Sequence, residues 1–278
     1  MSAPRRQPAR PCRRATLAGL GALALPGAAS ARVASTLSGT VKGVSRYGRL
    51  RLDTLQTLRL ADLEVPAPPA PWGRQGMAGL EALALGRQVI ATPLAREPDR
   101  FGDIPARVWL ADPSGATDLS LGLELLRLGL ARVRPRPTGP RKVRNRAPGP
   151  DLTGWLEAEE AARLARRGLW RDAYRVHGPG ADDLAQFVET FQIVRGLVTA
   201  TGGGRERTYL NFGADWRTDT TVVVDRRVGR ALARLWDVEP DAIGEHVEGA
   251  RVEARGWVEL VNGPSLWLDD PRALRILD

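Results

Sequence analysis

The chain is poor in the residues that build most metal centres and covalent staples. It has one cysteine, Cys12, and two histidines, His177 and His246, far apart in sequence. A lone cysteine makes neither a disulfide framework nor a thiolate metal site. Isolated histidines supply neither a metal cluster nor an acid–base pair. Long hydrophobic runs are scarce as well. A spanning helix needs ~20 apolar residues, and the one candidate run, Ala15 to Pro26, is shorter and broken by its proline. No integral membrane segment is therefore expected in the mature chain.

What is present begins with charge. Arg5, Arg6, Arg10, Arg13 and Arg14 precede that apolar run, and Ala29-Ser30-Ala31 follows it. A basic stretch, a short hydrophobic core and a small-residue site describe a secretory signal peptide. Arg13-Arg14 resembles the twin-arginine variant of such signals. A basic tail beside a buried helix is the plainer alternative. The expectation is removal of residues 1–31 and export to a bacterial periplasm or beyond. Cys12 would leave with the signal, and the formal charge would fall from +9 to +4, because five arginines and no acid are lost. Whole-chain charge is then weak evidence for a nucleic-acid partner, and local clustering has to carry that argument.

Hydrophobic period divides the rest. Thr40 to Val44, Leu50 and Leu52 alternating with Arg49 and Arg51, and Leu58 to Leu60 read as a strand meander. Trp72 to Leu85 has helical spacing and stops at Gly86. Gln88 to Pro93 and Ala106 to Leu110 return to strand character, and Leu119 to Leu130 is an amphipathic helix. Arg132 to Arg146 holds seven basic residues, three prolines and no acid, which predicts an extended surface loop. Trp155 to Arg167 is a further helix, closed by Gly168-Leu169-Trp170. The order β-β-β-α-β-β followed by helices fits an OB-fold barrel over residues 38–171. Residues 172–190 read as a linker. From Phe191 a second β-β-β-α-β-β unit runs to residue 278, with turns at Gly202-Gly203-Gly204 and Asn262-Gly263-Pro264. The expected class is mainly β with α: one OB barrel with flanking helices, then a smaller OB-like barrel.

Leu58-Arg-Leu-Ala-Asp-Leu-Glu-Val-Pro-Ala67, Asp99-Arg-Phe-Gly-Asp-Ile-Pro-Ala106 and the Gly-Leu-Trp element together resemble the staphylococcal-nuclease (thermonuclease) family. Its patterns there are R-L-x-G-I-D-x-P-E and D-x-Y/F-G-R-x-x-A. The resemblance implies calcium-dependent phosphodiester cleavage, in which carboxylates hold the metal, a glutamate activates water and two arginines hold the phosphate. On those positions Arg59 retains the first arginine and Glu64 a metal carboxylate. Ala67 stands where the base belongs and Asp103 where the second arginine belongs. The turn Ser45-Arg46-Tyr47-Gly48 replaces the family's D-G-D-T, with no carboxylate until Asp53. The scaffold is kept and the machinery is partly lost. Calcium is expected only if a shifted site exists around Asp62, Glu64 and Arg100. Arg59 with Glu64 could equally be a structural ion pair, and Asp103 with Arg100 and Arg107 a surface cluster.

The basic loop, with Arg132, Arg134, Arg136, Arg141, Lys142, Arg144 and Arg146, is the leading nucleic-acid candidate, since phosphate contacts come mainly from such side chains. It lacks interleaved aromatics, so stacking would have to come from elsewhere. In the second unit Tyr209 and Trp216 could stack on bases, whereas Phe212 is expected in the core. The favoured expectation is an exported protein that binds nucleic acid or another polyanion without efficient hydrolysis. A calcium-dependent nuclease with relocated residues and an envelope protein-interaction module are the alternatives.

Overall fold

The computed structural model describes residues 36–95, 97–111, 119–137, 151–178, 180, 184–213 and 219–277. The expected signal segment lies outside them. Alternating leucines found the first barrel. In β2 (Arg49–Leu52) and β3 (Thr57–Leu60), Leu50, Leu52, Leu58 and Leu60 turn inward, which leaves Arg49, Arg51 and Arg59 on the outward positions. β1 (Leu37–Val44) pairs with β2 on one edge and with β5 (Gln88–Pro93) on the other. β5 pairs with β6 (Asp103–Leu110), and β6 returns to β3 in parallel, with Thr57 opposite Asp103. The ring β1-β2-β3-β6-β5 is thereby closed. This is the five-stranded OB-barrel order that the sequence predicts. Short strands β4 (Leu63–Glu64), β7 (Leu119–Ser120) and β8 (Arg132–Val133) decorate it, β4 pairing with β8.

Three helices cover this barrel. α1 (Gly73–Ala84) buries Leu80 and Ala84, and Gly86 at φ 74° ends the segment as expected. α2 (Leu121–Arg127) is capped by the Ser120 hydroxyl, which accepts from the Leu123 N–H at 3.3 Å. α3 (Thr153–Leu164) leads into the Gly-Leu-Trp element. The first residue of that element has to be glycine. Gly168 sits at φ 53°, and a Cβ there would fall 2.1 Å from the Gly129 carbonyl oxygen. The close approach delivers Leu169 and Trp170 into a small cluster with Ala162 and with Ile193 of the second barrel.

The second barrel repeats the topology. β9 (Phe191–Leu197) and β10 (Ala200–Gly203) are halves of one strand interrupted at Val198-Thr199. β10 pairs with β11 (Arg207–Asn211), β11 with β12 (Thr221–Asp225), β12 in parallel with β14 (Pro264–Trp267), and β14 with β13 (Arg251–Leu260), which returns to β9. β15 (Leu274–Ile276) extends the sheet at the start of β13. α4 (Arg226–Trp236), capped by Asp225, and the short α5 (Ile243–Val247) close one side over Val228, Leu232, Ile243 and Val247. The segment expected as a linker runs alongside β9: the His177 N–H donates to the Ile193 carbonyl at 2.9 Å and the Arg195 N–H to the His177 carbonyl at 3.0 Å. Leu184 enters the second core.

Ala34–Asp278 forms one compact unit, and buried charge joins its two barrels. Arg255 of β13 is only 3% exposed. It donates to Glu159 of α3, to Glu253 and to the Val133 carbonyl. Glu253 is buried and accepts from Arg195, Arg255 and Arg275. Arg195 reaches across to Glu160 of α3 at 2.6 Å. Burial alone would raise Glu253, but Arg255, Arg275 and Arg195 hold it down at about 2. Arg163 and Arg195 hold Glu160, against some burial, at about 2 as well. Among the described residues no helix is long and apolar enough to cross a membrane.

Removing one partner of a buried pair leaves a charge without compensation and costs roughly 3–5 kcal/mol. Arg255→Leu is expected to lower unfolding free energy in urea by about that amount. Arg255→Leu combined with Glu159→Leu should recover much of the loss. Because Glu253 and Glu160 shift from 4.5 when unfolded to about 2 when folded, their stabilisation is complete above pH 4.5 and is lost as pH falls toward 2. Urea midpoints measured across that window check the sign, and Glu253→Gln should flatten the slope.

Candidate nucleic-acid interface

The outward positions of β2 and β3 bring two cations face to face. Arg49 and Arg59 are cross-strand partners, and like charges directly opposite one another oppose pairing. Each is partly compensated from the β5–β6 side. Arg49 Nε donates to Asp103 at 2.7 Å, and Arg59 Nε lies 3.6 Å from Asp99. The Asp103 side chain is buried, and its partner is Arg49. The surface cluster expected with Arg100 and Arg107 does not form. Arg100 stacks on Phe101, and Arg107 lies over Trp155 and donates to the Asp151 carbonyl. The parallel β3–β6 register explains the difference, because it sets Asp103 beside the strand pair that carries Arg49.

Burial lowers Arg59, against the pull of Asp99, and neighbouring Arg49 lowers it further. Its Nη1 is buried with no acceptor. Arg136 is more exposed to the same repulsion. Burial first, then Arg134, Arg59 and Arg49, push it down to about 9, and its Nε also lacks an acceptor. Among the described residues no carboxylate forms an ion pair with Arg136. A guanidinium in this condition keeps its charge in practice, so the surroundings favour an anion. Such a group accepts several N–H bonds and relieves the repulsion at once.

The basic run is therefore not the single surface loop expected from its composition. Arg132 and Val133 form β8 against β4, and Arg132 is buried. Its Nη2 donates to Glu64 at 2.9 Å, and Arg134 Nη1 lies 3.7 Å from the same carboxylate. Their planes stack on aromatics, Arg132 on Tyr174 and Arg134 on Trp257. Only long-range partners compensate these arginines, so local sequence gave no sign of their burial. Arg141, Lys142, Arg144 and Arg146 lie outside the described residues, as does Trp216. Tyr209 is half-buried on β11 opposite Gly202 and Val223, and Phe212 belongs to the second core as expected.

Glu64, expected as a metal carboxylate, sits between the guanidiniums of Arg132 and Arg134, a surrounding that repels a cation. Asp62 does not join it. The turn between β3 and β4 puts Asp62 at φ 55° and buries it, where Arg272 binds both its oxygens at 2.9 Å and the Arg136 N–H donates to it at 3.0 Å. The shifted site around Asp62, Glu64 and Arg100 is thus not assembled. The Asp53 carboxylate accepts from the Thr40 N–H at 2.9 Å. Among the described residues no three Asp, Glu, His or Cys side chains gather as metal ligands. The residues present do not fit calcium.

The stacking groups that the basic run lacks occur instead in two turns joined by Arg49. Tyr47, between β1 and β2, is 57% exposed, and Phe101, between β5 and β6, is 70% exposed. Arg46 stacks on Tyr47 and Arg100 on Phe101. Arg49 ties the turns together, donating Nη1 to the Tyr47 carbonyl at 2.7 Å and Nε to Asp103. The sequence signal was available in the two Arg-aromatic dipeptides, each in a tight turn next to a strand.

No family model matches the chain, and a search of curated proteins returns no match.

Taking a charge out of water without a partner costs the fold free energy that an apolar side chain of similar length does not. Arg136→Met is accordingly expected to raise the urea midpoint in anion-free, low-salt buffer. It should also remove most of the stabilisation that added inorganic phosphate gives the unmodified protein. A lowered midpoint in the variant would mean that Arg136 has a compensating partner.

Proposed function

We propose that the protein is an exported, non-hydrolytic binder of single-stranded nucleic acid built on a thermonuclease-like scaffold. The opposed pair Arg49 and Arg59, with Arg136 alongside and N–H groups still lacking acceptors, carries this reading. That arrangement suits phosphate oxygens, and exposed Tyr47 and Phe101 beside it offer rings on which unstacked bases can lie. Duplex bases present no such faces, so single strands are favoured. Export rests on the N-terminal arginines and the apolar run that follows them.

The absence of hydrolysis rests on chemistry. Ala67 cannot take a proton from water, Asp103 cannot hold a phosphate, and Glu64 is engaged by Arg132 and Arg134. Losing a general base alone costs roughly 10²–10⁴-fold, and the parts of such a unit fail together rather than additively.

The test is fluorescence anisotropy with a labelled oligothymidylate on the mature protein. The logarithm of the binding constant is expected to fall linearly with log salt, with a slope of about 0.7 per phosphate contacted. Arg59→Gln should reduce that slope. Tyr47→Ala with Phe101→Ala should weaken binding about ten-fold or more, since each stacked base is worth ~1–3 kcal/mol. No calcium-stimulated cleavage of the oligonucleotide is expected. Robust turnover that Arg59→Ala abolishes would instead establish an active nuclease. Absent binding at low salt would leave the protein-interaction reading.

A further inference from the structure

The seam between the barrels contains a cavity of about 800 Å³, within the ~300–1,000 Å³ typical of small-molecule sites. Glu64, Arg132, Trp170, Tyr174, Phe191 and Trp257 contribute to its wall. Rings and guanidiniums alternate there. Arg132 lies 4.0 Å from the Tyr174 ring centre and 5.4 Å from that of Phe191, and Arg134 lies 5.1 Å from Phe191 and 4.6 Å from Trp257. Phe191 and Trp257 are cross-strand partners on β9 and β13, so the second barrel completes a stack that the first begins. The rings at its two ends, Tyr174 and Trp257, are half-buried.

Two polar groups in this wall are unexplained by the fold. Arg132 Nε and Trp170 Nε1 are buried donors with no acceptor, and both residues are almost wholly buried. A buried donor left unmade costs ~1–3 kcal/mol, so a ligand that offers acceptors would remove a standing cost. The wall also asks for a flat π surface. Phenyl and phenol rings have the surface without in-plane acceptors. Aliphatic acids have the acceptors without the surface. Nucleobases have both, and a phosphate attached to the base would meet the arginines.

We propose that the inter-barrel cavity binds one nucleotide, its base stacked in the aromatic wall and its acceptors facing Arg132 and Trp170. The proposal deepens the function above and takes the identity of its ligand from that reading. Arg134 links the two places: it lies against Phe191 and Trp257 of the cavity wall and is electrostatically coupled to Arg59 and Arg132. A strand whose phosphates lie along Arg49, Arg59 and Arg136 would then seat one of its bases between the barrels.

The probe is adenosine monophosphate, with ribose 5-phosphate as the baseless control, titrated into the full mature chain. Saturable hypochromism of the adenine band and quenching of tryptophan emission are expected with the nucleotide and not with the control. Trp257→Leu should weaken binding about ten-fold or more through the lost stack. Trp170→Phe, which keeps a ring and removes only the donor, should weaken it about two- to ten-fold. It also keeps the test decisive if Trp257→Leu does not fold. Absence of saturable binding, equal binding of ribose 5-phosphate, or an unchanged affinity in folded variants would overturn the proposal. Oligothymidylate binding is scored separately. If it persists without mononucleotide binding, the cavity proposal fails and the outer interface stands. If the mononucleotide binds and the oligonucleotide does not, the cavity stands and the outer interface fails.

Discussion

The interaction on which this architecture depends is the burial of Arg255 between Glu159 and Glu253. A charge taken from water is expensive unless its donors are met, and here the guanidinium is met by two carboxylates and a backbone carbonyl. One of those carboxylates belongs to a helix of the first barrel and the other to a strand of the second. Neither barrel can release the other without leaving ions behind in a dry interface. The third small core, with Leu169 and Trp170 against Ile193, adds apolar surface beside the same seam. Charge fixes the register of the two barrels, and hydrophobic burial holds them together.

That seam also sorts the arginines into two kinds. Arg255 and Arg272 are met by carboxylates and serve the fold. Arg49, Arg59 and Arg136 sit on the outward wall of the first barrel, where compensation is partial or missing. Composition cannot tell these kinds apart, because the residues are chemically the same. The distinction arises from which strands the closed ring brings next to one another. The β2–β3 register opposes Arg49 to Arg59, and the β3–β6 closure brings Asp103 alongside.

The sequence was legible where period and turn chemistry act locally. Leucine alternation marked β2 and β3, Gly86 marked the end of α1, and the β-β-β-α-β-β order led to barrel closure in both halves. It was illegible where a residue's state depends on a distant partner. Two-residue strands such as β8 are too short to show a period, so Arg132 looked like a surface charge. Asp62 looked available for chemistry because Arg272, which captures it, lies far along the chain. Asp103 has cations near it in sequence, whereas the one that holds it, Arg49, comes from a strand two places away in the barrel. Tyr47 and Phe101 carry no periodic signal, and the Arg-aromatic dipeptides that contain them are a local mark without a stated partner. Each becomes conspicuous only when Arg49 joins the two turns.

The clasp of Asp62 by Arg272 spans 210 residues. Asp62 sits in a buried turn of the first barrel, and among the described residues of that barrel none forms an ion pair with its carboxylate. A growing chain can therefore complete the leucine core of the first barrel while this turn remains electrically unfinished. Synthesis must reach Arg272 before this carboxylate gains its bidentate partner, so a turn of the first barrel is completed only by a segment that follows nearly all of the second. Chains truncated before that point would carry an uncompensated anion in their interior and become the natural targets of proteolysis.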